Sequence, residues 1–132
     1  MAHLTARHFK GLLAVRSGIA AFAQLSEKEA RIAGGTHAQH HVLLALRGHA
    51  DIAGPTVKDV AAALAISSPS AVELIARMVG VGLLERHADD SDARITRLKL
   101  TTLGHRLLHQ LSEPHLPRLR ELITNASGHL ID

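Results

Sequence analysis

The chain contains no cysteine, tryptophan or tyrosine, and Phe9 and Phe22 are its only large aromatic side chains. Without cysteine there is no disulfide frame, thiolate zinc site, thiol nucleophile or cysteine redox switch. The scarcity of aromatic residues, beside an apolar fraction of 46% rich in alanine and leucine, favours helices over sheet. No run approaches the ~20 apolar residues that cross a bilayer, and the N-terminal MAHLTARHFKGLL lacks an apolar stretch followed by a small-residue cleavage site. The expectation is a soluble, cytoplasmic protein with no membrane partner. A recognisable set of serine, histidine and carboxylate is missing, as is a phosphate-binding glycine loop, so neither an enzyme nor a cofactor is expected.

What remains is a chain of 132 residues, the length of one domain (1–132), with a formal charge of +3 that does not by itself prove a polyanion partner. From about Thr5 to Ala33, Leu12, Val15, Ile19 and Phe22 recur at helical spacing, and Gly34 and Gly35 stop the helix. Gly11 and Gly18 inside it are either tolerated or mark the close approach of another helix. Thr36 can cap a second helix to about Arg47, ended by Gly48. Thr56 and Asp59 form a capping-box-like pair at the start of a short third helix, about Val57 to Ala65. A fourth opens with Ser67 or Ser68 as cap and Pro69 in a tolerated first-turn position, and turns Ala71, Leu74, Ile75 and Met78 inward.

Residues 82–108 then change hydrophobic period twice. Leu83 and Leu84 give way to a polar run from His87 to Arg94, read as a solvated turn. Beyond it Thr96, Leu98 and Leu100 alternate with Ile95, Arg97 and Lys99, as in a strand. From Leu103 the spacing is helical again, with Thr101 or Thr102 as cap. Pro114 and Pro117 break the following helix, after which Leu116, Leu119, Leu122 and Ile123 continue an apolar row to about Asn125.

Two short helices joined by a tight turn, the second opening with serines, match a helix-turn-helix, and the hairpin after them makes it winged. The fold expected is mainly α with a small β-hairpin. In such an arrangement the second helix enters the major groove and the hairpin can extend an arginine to the backbone or minor groove.

The wing residues Gly82, Leu83, Leu84 and Arg86, followed by Asp92, Arg94, Leu100, Thr101 and Gly104, resemble the MarR family of winged-helix transcription regulators. QHHVLLAL and ISSPSAVELIARM fit its second and fourth helices, and the likeness covers roughly Phe9 to Ile123. The resemblance implies a winged lobe at about 36–100 and dimerisation helices at 1–35 and 101–132. It implies a homodimer binding a palindromic operator in double-stranded DNA, a repressor's role, and a cleft that receives a small-molecule effector. Carried over residue by residue, it sets Ser67, Ser68, Pro69, Ser70 and Glu73 on the exposed side of the recognition helix, and makes Arg94 the wing arginine oriented by Asp92. Arg77, Arg86 and Arg97 complete the DNA-binding candidates. Ala93 stands where the family commonly has arginine, and from Lys58 to Arg106 seven basic residues meet six acidic ones. That balance keeps non-specific DNA affinity modest. It also leaves open a winged-helix module that binds protein or sequesters an effector.

Eleven histidines are the other unusual feature. His37, His40 and His41 fall at i, i+3 and i+4, and His105 and His109 at i, i+4, spacings that can chelate zinc. A metal-responsive site using His41, His105 and His109 is the alternative to ordinary surface or interface histidines, which are the simpler assignment because no carboxylate completes the set.

Overall fold

The computed structural model describes residues 3–130. In chain order the elements are α1 (Ala6–Ile32), α2 (His37–Arg47), α3 (Val57–Leu64), α4 (Ser68–Gly80), β1 (Leu84–Ala88), β2 (Thr96–Leu100), α5 (Thr102–Ser112) and α6 (His115–Leu130). Their boundaries follow local chemistry. At α2 the Gln39 N–H donates to Thr36 Oγ1 (3.1 Å) while the Thr36 N–H donates to Gln39 Oε1 (3.0 Å). Thr56 and Asp59 do the same at α3, at 3.2 and 3.0 Å. Ser67 caps α4 and Thr101 caps α5. Each cap satisfies donors that a helix start leaves unpaired.

Ala65 ends α3 in the left-handed conformation (φ 55°), and the chain turns by 110° between α3 and α4. That angle is the helix-turn-helix bend. The inward row of α4, comprising Ala71, Leu74, Ile75 and Met78, is buried as its spacing predicts. It packs with Val42 and Leu43 of α2, Val60 of α3, Leu84 and Leu98 of the hairpin, and Leu108 and Leu111 of α5. The two strands pair antiparallel, with Leu84 opposite Leu100 and Arg86 opposite Leu98. They could not stand alone, and the core beneath Leu84 and Leu98 supplies their support.

The long helix α1 crosses the core's far side and packs chiefly against α6. A Cβ built on Gly18 would stand 2.2 Å from Leu122 Cδ1, so this glycine does mark a helix approach. Two boundaries differ from the sequence reading. Helix α6 runs to Leu130, past Asn125, because nothing from Thr124 to Ser127 interrupts it. The polar run that begins at His87 is not wholly a solvated turn. His87 and Ala88 still belong to β1, and the Asp89 side chain is only 12% exposed because it faces Arg97. Leu12 and Ile19 of the predicted α1 stripe are more than half exposed, on a surface that α6 does not cover.

Candidate nucleic-acid interface

The outer face of α4 is polar and open. Ser67, Ser68, Pro69, Ser70, Glu73 and Arg77 are all exposed. The Ser67 hydroxyl accepts the Ser70 N–H (3.2 Å) and donates to Ser70 Oγ (2.9 Å), so its work is the cap. Glu73 and Arg77 lie 3.8 Å apart one turn along, both largely solvated, a pairing that holds neither side chain strongly.

At the wing, Asp92 and Arg94 form a planar fork. Arg94 Nε donates to Asp92 Oδ1 and Nη2 to Oδ2, both at 3.0 Å, while the Arg94 backbone N–H reaches the same Oδ1 at 3.1 Å. The Arg94 side chain is nevertheless 90% exposed. This contact holds the Asp92 carboxyl below the ordinary carboxylate range and raises the arginine still further, so both remain charged. A bidentate fork fixes the guanidinium plane while leaving donor groups for an outside oxygen. Arg86 is exposed on β1. Arg97 is different: its side chain turns into the protein toward Asp89 and the loop before α3.

The histidines are not gathered as a chelate. Among the described residues no group of three or more histidines or carboxylates is arranged to hold a metal ion. His41, His105 and His109 are exposed, and His105 lines a cavity beside the hairpin with His49 and His87. The sequence reading missed a buried pair. His40 and His115, 2% and 6% exposed, make a tilted contact with ring centroids 4.9 Å apart where α1, α2, α5 and α6 meet. His40 Nε2 lies 3.1 Å from Ser112 Oγ, and its Nδ1 lies 3.5 Å from Ser26 Oγ, which His37 Nδ1 approaches to 2.8 Å. His115 meets the Phe22 ring edge-on, and its Nε2 is buried without a hydrogen-bond partner. Burial, reinforced by His115, His37 and His41, lowers the His40 pKa to about 4, and burial also lowers His115. A signal for His40 existed in its i, i+3 spacing to the core residue Leu43. For His115 the break between α5 and α6 obscured any such period.

The MarR family matches residues 34–95, a span containing α2, α3, α4, β1 and the wing tip through Arg94. A mutant of the Staphylococcus aureus regulator MepR bound to an oligodeoxyribonucleotide has a similar structure. Its TM-score is 0.67 at 25% identity, over 83% of this chain and 78% of that one. Over residues 34–95, just under half of its length, this protein is similar to the MarR family.

A second S. aureus structure, a MepR–DNA complex, gives a TM-score of 0.69 at 23% identity, over 92% of this chain and 85% of that one. A further MarR family transcription regulator gives 0.71 at 21% identity, over 88% and 75%. No curated protein matches the sequence. The MarR family consists of winged helix-turn-helix transcription regulators and not of enzymes, which agrees with the sequence reading. The expected fold is the observed one: mainly helical, with a two-stranded wing and with the N- and C-terminal helices in contact. No single described helix is long and apolar enough to cross a membrane.

Proposed function

We propose that this protein is a homodimeric MarR-family repressor that reads a palindromic operator in double-stranded DNA and is released by a small-molecule effector. The observation that carries the reading is Arg94. Its side chain is 90% exposed while its guanidinium is held by both oxygens of Asp92, which is the preparation a phosphate or minor-groove contact needs. Beside it, Ser68, Pro69, Ser70 and Glu73 give α4 a polar face for the major groove, where Glu73 can accept from cytosine N4. Arg77 and Arg86 flank these positions as backbone contacts. The MepR structures bound to DNA support the same partner.

The chain then divides into a DNA-binding lobe at about 36–100 and dimerisation helices at 1–35 and 101–132. Leu12, Leu13 and Ile19 of α1, with Leu116 and Ile123 of α6, leave an exposed apolar surface of the kind that two copies bury. An apolar cleft of about 270 Å³ between Ile19, Phe22, His37, Leu119 and Leu122 suits a small effector. Such a ligand acts by favouring one spacing of the two DNA lobes over another.

A genome-wide selection with the purified protein at low salt tests the proposal. The expected result is enrichment of a palindrome, including a site near its own gene. Enrichment of no duplex would overturn it. The near balance of charge between Lys58 and Arg106 favours a second reading, a module that binds protein or sequesters an effector. Pull-down of a protein partner without DNA enrichment would select it.

A further inference from the structure

The sequence pattern groups Arg97 with the DNA-contacting arginines, yet its surroundings give it another task. The Arg97 side chain is 17% exposed, against 90% for Arg94. Its Nη1 donates to the Gly54 carbonyl at 2.8 Å, its Nε donates to Asp89 Oδ1, and Asp51 Oδ2 lies 3.9 Å from Nη1. Its hydrogen-bond and ion-pair partners are thus oxygens of the loop between α2 and α3 or of the wing turn.

Asp89 carries the connection onward. Its Oδ2 accepts the backbone N–H groups of Ser91 and Asp92, both at 3.0 Å. These amides shape the turn from which the Asp92 carboxylate reaches Arg94. The hairpin is also docked on the same loop independently of Arg97. The Leu98 N–H donates to the Pro55 carbonyl (2.9 Å), and His87 Nε2 lies 3.1 Å from the Ala53 carbonyl. Gly54 makes the approach feasible: its φ is +90°, and a Cβ there would stand 2.4 Å from the Leu98 carbonyl oxygen. Directly after this loop comes the Thr56 cap of α3, so the wing and the helix-turn-helix are referred to one backbone segment.

We propose that Arg97 is a positioning residue for Arg94: it fastens Asp89 to the α2–α3 loop, and Asp89 holds the turn that presents Asp92 and the exposed guanidinium. The proposal rests on the DNA-contact reading of Arg94 given above. Arg97 itself neutralises no phosphate. Its contribution to affinity lies in restricting the orientations of the wing tip before DNA arrives, which lowers the ordering cost of binding. A hairpin fixed only at its base would keep that freedom.

The test uses the full-length protein and the duplex that it selects from a randomised library. Arg97→Gln is expected to weaken binding roughly tenfold in the otherwise natural protein, and by less than about threefold when Arg94 is already alanine, because residues acting through one another are non-additive. Equal losses in the two backgrounds, or no loss in either, would overturn the proposal. Should Arg97→Gln fold poorly, the near-isosteric Asp89→Asn must give the same non-additive pattern. A second measurement needs no DNA. Amide exchange at Ser91, Asp92 and Arg94 is expected to accelerate in Arg97→Gln or Asp89→Asn while Leu43 and Ile75 keep their protection. Unchanged exchange at the turn would refute the relay even if the protein bound no duplex, and that latter result would count against the proposed function alone.

Discussion

The backbone of Gly104, in the first turn of α5, stands against the carbonyl of Leu83 just before β1: a Cβ at position 104 would meet that oxygen at 2.2 Å. The same carbonyl accepts the Thr101 N–H at 3.1 Å, and the Thr101 hydroxyl donates to the Gly82 carbonyl, so the contact joins the start of α5 to the entry of the wing. Because the obstruction is backbone, no side-chain rotation relieves it. Gly104→Ala is expected to destabilise the fold by roughly 2 kcal/mol through overpacking, although alanine gains about 1 kcal/mol of helix propensity. Urea unfolding measures the difference, and an unchanged midpoint would show that α5 can shift away.

Much of this architecture was legible because its signals are local. Thr36, Thr56 with Asp59, Ser67 and Thr101 cap the helices they precede, and the period-two alternation around Leu98 marks a real strand. What escaped depends on residues far apart in sequence. Arg97 reads as an outward arginine until Gly54, 43 positions away, supplies a carbonyl. The histidines read as ordinary surface or interface side chains, yet His40 and His115 are buried in the folded chain. An amphipathic period states which face of an element is apolar; it does not state which polar side chain will be enclosed when two such faces meet.

Arg94 and the α4 face are expected to separate affinity from specificity. Arg94→Ala should weaken binding to all duplexes alike, and the salt dependence of log affinity should fall by about one unit, since one phosphate contact is lost. Substituting Ser70 or Glu73 should instead change which sequences are preferred, at about 1–3 kcal/mol for a base contact. Fluorescence anisotropy on selected and scrambled duplexes at several salt concentrations distinguishes them. If Arg94→Ala altered sequence preference and left the salt slope intact, the assignment of Arg94 to the DNA backbone would be wrong.

The buried His40–His115 pair should make stability depend on pH. His40 is held neutral in the folded protein, with its pKa lowered to about 4, whereas the unfolded chain titrates near the ordinary 6.5. Between those values the unfolded state binds more protons, so stability rises with pH through this window. The contribution is fully present above about pH 6.5 and disappears as pH falls through about 4. The difference between those two values corresponds to roughly 3 kcal/mol of that dependence. His40→Gln, which keeps polar atoms for Ser26 and Ser112, should flatten the stability profile in the same window whatever its effect at neutral pH. Denaturant midpoints measured across the window would expose an unaltered slope, and with it a misassigned group.

The exposed apolar rows on α1 and α6 give the proposed dimer its test. Leu12 and Ile123 are each more than half exposed, and neither belongs to the buried core, so a charge at both positions should spare the folded subunit. In a dimer the same charges would be buried without partners, at a cost of several kcal/mol for each. The unmodified protein is therefore expected to sediment as a dimer at micromolar concentration, and the Leu12→Glu, Ile123→Glu double variant as a folded monomer with an unchanged helical circular-dichroism signal. Loss of dimer should abolish tight binding to a palindrome while leaving weak binding to a single half-site, because each winged lobe keeps its own contacts. A natural protein that sediments as a monomer, or a double variant that remains dimeric, would move the interface away from these rows.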